Sequence, residues 1–345
     1  MDLWTYLKGS TKPVVLYGMG NGADRILDVM EQKGIAASGV FASDGFVRHQ
    51  SFRGFIVESY EELKNRFGDM IVLLSFGTHR ADVVENVKRI MQEQEVYAPD
   101  VPIAGDELFD LEFVQKHRSQ FEQVYIMLCD EWSRKVYKNV VLAKLTGNIQ
   151  LLFDSESDPK EAYDLLGLSF QEHYLDIGAY TGDTVQRFID WTGGKYRRID
   201  AFEPDLKNFK KLVVNTKDYL NVRCHNLCID ETTGQRLFLM DGGRKSRVCN
   251  KGVTIPAETV DHLFDRQDIS LIKMDIEGME PAALRGARNT IFRNRPKMDI
   301  AAYHRSTDLF ELPLYVHSIC PDVQIYLRHF ASLPAWDTNF YFKFK

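Results

Sequence analysis

The sequence has few cysteines, no long apolar run and no excess of positive charge. Five cysteines among 345 residues are too few for a disulfide framework, and the first residues lack the basic start and apolar stretch of a secretory signal. The longest apolar runs, such as residues 70–76, are far shorter than the ~20 residues that span a bilayer. These absences predict a protein of the reducing cytoplasm with no membrane span.

The charge balance is slightly acidic. With 43 basic and 49 acidic residues, the formal net charge is −6, which argues against nonspecific nucleic-acid binding because that needs a dominant basic surface. The composition is otherwise ordinary, with 44% hydrophobic and 27% charged residues, and it excludes collagen-like and disordered classes. At about 150 residues per domain, the length favours two domains.

The N-terminal part alternates short β-branched runs with amphipathic stretches, which is the rhythm of parallel βαβ units. The runs lie at residues 14–17, 39–41 and 71–74, and the amphipathic stretches near residues 22–33 and 80–94. Residues 106–170 contain no strand pattern, and Trp132, Val136, Val140 and Ala143 recur there at helical spacing. We therefore predict a Rossmann-like domain over residues 1–105, a helical connector over 106–170 and a second α/β domain over 171–345.

The second alternation ends in a way that the first does not. Its earlier runs lie near residues 174–176, 199–202, 222–228, 271–274 and 298–301. The last two runs, 323–327 and 340–344, leave no room for a helix, and Pro334 would interrupt one. They should pair antiparallel, as in class I methyltransferases and unlike ordinary dinucleotide-binding sheets. The predicted fold class is α/β, with two doubly wound Rossmann-like domains, the second closed by this hairpin.

A first glycine turn, at residues 18–23, follows the first strand and opens a helix, and Asp44 follows the next strand. Such a turn brings backbone N–H groups to a ligand, and the acid could hold a ribose. Its third glycine position is occupied by Ala23, and the stretch resembles small Rossmann-like domains that precede sugar-modifying transferases. Such domains bind a nucleotide-sugar or act as scaffolds. We favour a structural or dimerising role, which allows a homodimer.

A second glycine turn, at residues 176–184, has the spacing Asp-x-Gly-x-x-x-Gly, which differs from the dinucleotide fingerprint. S-adenosylmethionine has no pyrophosphate to place at a helix N-terminus. The turn must instead pass close to its methionyl group, so Gly178 and Gly182 would remove side chains while Asp176 faces the cation. The spacing therefore favours S-adenosylmethionine over a dinucleotide.

Two further acidic strand ends strengthen this interpretation. Glu203 ends the next strand, where a carboxylate can accept both ribose hydroxyls, and Asp275 ends a third strand. A lone glycine turn would be weak evidence. The combination of the turn with two acidic strand ends is much more specific.

Three segments carry a shared pattern that continues in three shorter ones. The three lie at residues 175–184, 201–205 and 272–278, and the shorter ones at 129–135, 284–287 and 302–304. Together they resemble the signatures of FkbM-type methyltransferases over about residues 125–345. The resemblance implies a class I fold, S-adenosylmethionine as methyl donor and methyl transfer to oxygen, often on sugars or polyketide-derived hydroxyls. One departure is Ala302, where many members have a glutamate two residues before the histidine that is His304 here, so the acidic partner of this histidine is missing.

The turn, the strand ends and the third strand of the second domain supply the expected cofactor contacts. These are Asp176, Gly178, Ala179, Tyr180, Thr181, Gly182, Asp183, Thr184, Glu203, Pro204, Cys228, Ile229 and Asp275. Cys228 lies in the run with Cys224 and His225, which we interpret as a strand with packed thiols rather than a metal site, because no second ligand pair follows.

Catalysis requires fewer residues than cofactor binding does. Methyl transfer is an in-line displacement in which positioning does most of the work, and only a poorly nucleophilic hydroxyl needs a base. The candidate bases are His304, Asp275 and Glu277. The alternative is that the histidine is only a strand-end residue held by backbone hydrogen bonds and that the two acids cap a helix. No metal is expected, although Asp275 and Glu277 could hold Mg²⁺.

The expected acceptor contacts lie in a basic insertion and after the fifth strand: Arg244, Arg247, Tyr303 and Arg305. The pattern of the insertion predicts a hairpin. Its basic side chains are either solvated at the surface or, if the hairpin folds over the site, contact an anionic acceptor. We predict an O-methyltransferase that acts on a hydroxyl of a sugar, a glycan intermediate or another polar metabolite. The alternatives are an NAD-dependent sugar oxidoreductase that uses the first glycine turn, although the Tyr-x-x-x-Lys pair is missing, and a non-catalytic scaffold, although the second turn is undamaged.

Overall fold

The computed structural model describes residues 1–105, 107–239, 247–248 and 252–344, with only the backbone at 239, 247 and 248. The strands described there are β1 (Val14–Tyr17), β2 (Gly39–Phe41), β3 (Ser51–Phe52), β4 (Phe55–Glu58), β5 (Ile71–Leu74), β6 (Glu95–Tyr97), β7 (His173–Ile177), β8 (Arg198–Phe202), β9 (Val222–His225), β10 (Cys228–Ile229), β11 (Gly234–Leu239), β12 (Arg247–Val248), β13 (Val253–Glu258), β14 (Leu271–Met274), β15 (Lys297–Ala301), β16 (Gln324–His329) and β17 (Thr338–Lys343). They form sheets of six, four and seven strands.

Helices cover the sheets and connect them. They are α1 (Leu3–Gly9), α2 (Asn21–Lys33), α3 (Tyr60–Phe67), α4 (Ala81–Met91), α5 (Leu111–Lys116), α6 (Arg118–Met127), α7 (Glu131–Thr146), α8 (Gln150–Phe153), α9 (Pro159–Leu166), α10 (Asp183–Trp191), α11 (Leu206–Thr216), α12 (Val260–Leu263), α13 (Glu280–Gly286), α14 (Arg288–Asn294) and α15 (Asp308–Ile319). No helix of this described part is long and apolar enough to cross a membrane.

The N-terminal sheet has the order β3-β4-β2-β1-β5-β6, and only the short β3–β4 pair is antiparallel. Every residue of β1 and β5 is buried, as expected for parallel strands covered on both faces. The predicted helices near 22–33 and 80–94 are α2 and α4. Asp44 is not at a strand end, because β2 stops at Phe41 and Asp44 starts a short 3₁₀ helix with an exposed side chain.

The seven-stranded sheet has the order β16-β17-β15-β14-β7-β8-β9. Strands β9, β8, β7, β14 and β15 are parallel, and β17 pairs antiparallel with both β15 and β16. The predicted closing hairpin and the α/β fold class are therefore confirmed. The strand predicted over 222–228 divides in two, because β10 leaves this sheet and pairs with β13 in the four-stranded sheet.

Helices α5 to α9 occupy the stretch predicted to be helical, and α7 packs against the hairpin strand β16. Val136, Val140 and Ala143 of α7 are buried, while Trp132 is half-buried and donates a hydrogen bond to Ser157 Oγ at 2.9 Å. Lys144 of the same helix forms a buried ion pair of 2.7 Å with Asp100, which follows the N-terminal sheet. The connector is therefore packed against both large sheets.

The insertion between β10 and β14 belongs to the four-stranded sheet, whose order is β10-β13-β11-β12. The predicted hairpin is present as the antiparallel pair β11–β12. Arg244 lies outside the described residues, and for Arg247 only its backbone position in β12 is described.

Candidate active site

A cavity of about 530 Å³ opens where the parallel strands of the seven-stranded sheet end. Its wall includes Gly178 after β7, Glu203 after β8, Asp275 after β14 and Tyr303 after β15. Ligands of open α/β sheets bind at this edge, and the volume lies within the range of about 300–1,000 Å³ typical of small-molecule sites. The sheet topology therefore gathers residues that are far apart in the sequence.

The glycine turn after β7 is held tightly against the neighbouring strands. Gly178 has φ +88°, and a Cβ added there would lie 2.0 Å from the carbonyl oxygen of Asp275. Its N–H and that of Ala179 both donate to Phe202 O, at 3.0 and 2.9 Å. Gly178 is therefore required by the close approach of the chain to itself, and not only by the approach of a ligand, as the sequence suggested.

Asp176 was expected to face the bound cation, but it does not line the cavity. Its carboxylate is fully buried, accepts a hydrogen bond from the Thr184 hydroxyl and lies 3.3 Å from Lys273 Nζ. The same ammonium group donates to Gly178 O at 3.1 Å. Although burial alone would lower the pKa of Lys273, the Asp176 carboxylate raises it, so Lys273 stays protonated and supports the turn from behind.

Glu203 is placed as a ribose-binding carboxylate requires. It lines the cavity, and its two oxygens accept one backbone N–H each, Oε2 from Tyr180 at 3.0 Å and Oε1 from Asp205 at 2.8 Å. Each carboxylate oxygen has a second lone pair that these bonds leave for a ligand. Burial raises the pKa of Glu203 to about 7.

The predicted cofactor residues divide into two groups. On the cavity wall lie Gly178, Tyr180, Asp183, Thr184, Glu203, Pro204, Cys228, Ile229 and Asp275. Asp176, Ala179, Thr181 and Gly182 are not on the wall: Ala179 is buried, Thr181 O accepts from Asn215, and Gly182, at φ +93°, caps α10. His225 Nε2 lies 2.7 Å from Asp200 Oδ1, so this histidine supports the fold. Within the run from Cys224 to Cys228, Cys228 lines the cavity.

A second polar part of the wall was not predicted. It consists of His79, Tyr163, Arg187, Lys273, Asp299, Asp337, Asn339 and Tyr341. Within it, Asp299 accepts a hydrogen bond from Asn339 Nδ2 at 2.7 Å, and burial raises its pKa to about 6. Lys273 lies in the 272–278 segment, but the other residues share no local motif, so the sequence offered no signal that they line a site.

His304 lies behind the wall and does not line the cavity. It is 1% exposed, with Nδ1 2.9 Å from Glu280 Oε1, and Nε2 3.4 Å from Asp275 Oδ1 and 3.9 Å from Glu277 Oε2. Burial alone would lower its pKa, but the Glu280 carboxylate, helped by Asp275 and Glu277, raises it to about 10. The acidic partner that Ala302 fails to provide is therefore supplied by Glu280 on another element.

Of the two remaining acceptor candidates, only Tyr303 reaches the cavity. Its hydroxyl donates to Asp275 Oδ1 at 3.0 Å. Arg305 is off the wall, and its Nε donates to Gly278 O at 2.6 Å. This bond holds the turn that carries Glu277, whose φ is +55°.

The first glycine turn packs closely against the residues that follow β5. A Cβ at Gly22 would lie 2.2 Å from Ser75 O, and one at Gly18 would lie 2.6 Å from the Phe76 ring. No residue of that turn belongs to the described cavity wall, whereas His79, a few residues after β5, does. Two backbone hydrogen bonds between Thr78 and Leu333, of 2.8 and 2.9 Å, tie this loop to the closing hairpin.

Comparison with known proteins agrees with this arrangement. Residues 176–330 match the family described as "Methyltransferase FkbM domain". The crystal structure of the methyltransferase FkbM from Methylobacillus flagellatus KT superposes with a TM-score of 0.72 and 24% identity, over 98% of this chain and 92% of that chain, so both halves of the fold are shared. No curated protein matches the chain.

Two more distant structures also align. An rRNA methylase from Streptococcus thermophilus is 14% identical over 55% of this chain and 98% of that chain, with a TM-score of 0.37. Aeropyrum pernix fibrillarin in complex with natively bound S-adenosyl-L-methionine is 12% identical over 53% of this chain and 73% of that chain, with a TM-score of 0.33. At these scores, neither likeness bears on the function of this chain.

Proposed function

Because residues 176–330 match the FkbM methyltransferase domain, we propose that this chain is a methyltransferase and that it transfers the methyl group of S-adenosylmethionine to a hydroxyl oxygen of a sugar, a glycan intermediate or another polar metabolite. The observation that carries the cofactor assignment is Glu203, a buried carboxylate at a strand end whose remaining lone pairs are available in the cavity. A ribose offers two adjacent hydroxyls that match such a carboxylate.

The charge of the wall supports the same assignment. Six carboxylates, those of Asp183, Glu203, Asp275, Glu277, Asp299 and Asp337, are described on the wall, against the basic groups of Arg187 and Lys273. An acidic wall favours a cationic ligand such as a sulfonium and disfavours an anionic acceptor. The polar lining around Asp299 and Asn339 suits the hydroxyls of a neutral polyol, so we no longer favour the anionic acceptor that the basic insertion suggested.

The residues of this chain would act mainly by positioning. S-adenosylmethionine, when bound, supplies an activated methyl group on a sulfonium. Asp275 and Glu277 are the candidate bases that line the cavity, and either could accept the acceptor's hydroxyl proton. His304 carries its own proton at neutral pH, because its pKa is about 10, and we assign it the positioning of Asp275 instead of the base role. The Tyr303 hydroxyl restrains the same carboxylate.

We also retain the division into residues 1–105, 106–170 and 171–345 as a proposal. In this view the N-terminal part is a scaffold whose β5 loop adds His79 to the wall. The absence of the turn at residues 18–23 from the described cavity wall favours this role over nucleotide binding.

A ligand screen by thermal shift tests the proposed function. We expect S-adenosylhomocysteine to raise the melting temperature of the full chain and NAD to leave it unchanged, because a ligand stabilises the state that it binds. Stabilisation by NAD alone would favour the oxidoreductase alternative. Binding of S-adenosylhomocysteine without methyl incorporation into any sugar or glycan tested would favour a scaffold that keeps the cofactor site.

Glu203→Ala should weaken binding of S-adenosylhomocysteine by about 1.5–3 kcal/mol, the usual cost of losing a hydrogen bond to a charged group. Calorimetry measures the change. Asp190→Ala is the matched control, because Asp190 is an exposed acid on α10 that is absent from the wall. An unchanged dissociation constant for Glu203→Ala would mean that the ribose is held elsewhere.

Binding should also depend on pH through the same residue. Burial raises the pKa of Glu203 to about 7, so the free protein is increasingly protonated there as the pH falls below this value. Because hydroxyl groups donate to the ionised carboxylate, affinity should be constant above pH 7 and fall by up to about tenfold per pH unit below it. Glu203→Gln should bind more weakly and lose this dependence; a slope that survives in Glu203→Gln would assign it to another group.

His79→Ala should raise the KM for the methyl acceptor about two- to tenfold, the range for one lost hydrogen bond, and leave S-adenosylhomocysteine affinity unchanged. The prediction follows from the position of His79 on the wall, next to Thr78, whose backbone pairs with Leu333 of the closing hairpin. His262→Ala, at an exposed histidine off the wall, is the control. Equal acceptor KM values in the two variants would show that the N-terminal half does not contribute to the acceptor site.

A further inference from the structure

A buried cluster of two acids and a histidine lies against the cavity. Asp275, Glu280 and His304 each offer one ligand atom, and these atoms all lie within 4.8 Å of one another. Glu280 is 0% exposed and His304 1%, whereas the side chain of Asp275 is 36% exposed and lines the cavity. The cluster can therefore be reached from the cavity past Asp275.

The polar atoms of this cluster are poorly satisfied by the protein. Glu280 Oε2 and both ring nitrogens of His304 are buried without a hydrogen-bond partner among the described residues. His304 Nδ1 forms an ion pair of 2.9 Å with Glu280 Oε1, and the 3.4 Å contact between Nε2 and Asp275 Oδ1 is long for a hydrogen bond. Buried polar atoms nearly always have partners, so three exceptions at one place point to a missing ligand such as an ion.

The charges around the cluster have the sign that a cation needs. Glu277 Oε2 lies 3.9 Å from His304 Nε2, and the buried Asp308 accepts hydrogen bonds from the backbone N–H groups of His304 and Arg305. Asp308 Oδ1 is also buried without a hydrogen-bond partner in the described part of the chain. The carboxylates of Asp275, Glu277, Glu280 and Asp308 thus lie close to His304.

We propose that Asp275, Glu280 and His304 bind one divalent transition-metal ion, Mn²⁺ or Zn²⁺. Imidazole together with carboxylates suits these ions, whereas Mg²⁺ and Ca²⁺ prefer sets of oxygen atoms alone. The ion would replace the ring proton of His304, since a metal binds only the deprotonated imidazole nitrogen. The site shares Asp275 with the Asp275–Glu277 pair that the sequence suggested for Mg²⁺, but its other ligands are Glu280 and His304. It does not depend on the identity of the methyl acceptor.

Binding of Mn²⁺ to the full chain, stripped of metal with a chelator and desalted, tests the proposal. Electron paramagnetic resonance of free Mn²⁺ counts the bound ions, and competition with Zn²⁺ and Mg²⁺ ranks the metals. We expect one ion per chain, displaced by Zn²⁺ and only weakly by Mg²⁺. Glu280→Gln and His304→Gln should weaken binding at least tenfold, because each removes a ligand. Asp190→Asn, at an exposed acid that is outside both the cluster and the cavity wall, should bind as the wild type does.

Two results would overturn the proposal: no binding by the wild type at millimolar Mn²⁺, or full binding by both Glu280→Gln and Asp275→Asn. Circular dichroism identifies a variant that fails to fold, and Asp275→Asn then decides the matter, because its side chain is partly exposed and tolerates the isosteric change. S-adenosylhomocysteine binding by the metal-free chain is measured separately, so failure of the metal site and failure of the proposed function are distinguishable.

Discussion

Asp275→Asn should lower the methyl-transfer rate by about 10²–10⁴ and change S-adenosylhomocysteine affinity by less than tenfold. Asp275 lines the cavity, and two contacts hold its carboxylate in place: it accepts a hydrogen bond from the Tyr303 hydroxyl at 3.0 Å and lies 3.4 Å from His304 Nε2. Asparagine keeps the shape but removes both the charge and the proton acceptor. The measurement is methyl incorporation, after a screen of nucleotide-sugars and glycans has identified an acceptor.

Asp190→Asn is the control for this experiment, because it removes an exposed carboxylate that is not on the wall. Near-normal turnover of Asp275→Asn would transfer the base role to Glu277, or show that the acceptor loses its proton to water after the methyl group has moved.

The pH profile of the wild-type rate provides a separate test. An unperturbed histidine base would make the rate fall with a midpoint near pH 6.5, and we expect no such fall. Glu280 and the neighbouring acids raise the pKa of His304 to about 10, so this group stays charged across that range.

Gly178→Ala should lower the free energy of unfolding by about 2–5 kcal/mol and abolish measurable cofactor binding. The left-handed backbone, with φ +88°, costs a non-glycine residue about 1–2 kcal/mol, and overpacking adds about 1–3 kcal/mol. The added Cβ would lie 2.0 Å from Asp275 O, and this carbonyl cannot retreat easily because β14 is paired on both sides. The turn must therefore move, and the wall beside Glu203 moves with it.

Gly194→Ala separates the two causes. Gly194 has φ +75°, and a Cβ there would meet nothing within 4 Å, so only the backbone strain remains. Urea unfolding followed by circular dichroism gives both stabilities, and calorimetry with S-adenosylhomocysteine gives the affinities. If the two alanine variants lost equal stability and both kept the ligand, the packing of Gly178 against Asp275 would have no special importance.

Local patterns in the sequence were sufficient for the fold and for one part of the site. Alternating runs of β-branched residues predicted both parallel sheets, and the absence of room for a helix between 323–327 and 340–344 predicted the closing hairpin. Glu203 and Asp275 were found because the ends of neighbouring parallel strands meet at one edge of a sheet, wherever their residues lie in the chain. This rule converts a position in the sequence into a position in space without knowledge of side-chain packing.

Packing between distant segments decided the rest. Glu203 and Asp176 are both acidic residues near strand ends, but Glu203 lies on the wall and Asp176 lies behind it. Lys273 and Thr184 enclose the Asp176 carboxylate. The sequence suggested that His304 had lost its acidic partner, yet Glu280 supplies one from another element.

The β5 loop adds His79 to the wall because Thr78 pairs with Leu333, more than 250 residues later. Periodicity and strand ends are local properties and can be read from the sequence. Which side chains face a cavity, and which charges face one another, depends on contacts that no local pattern encodes.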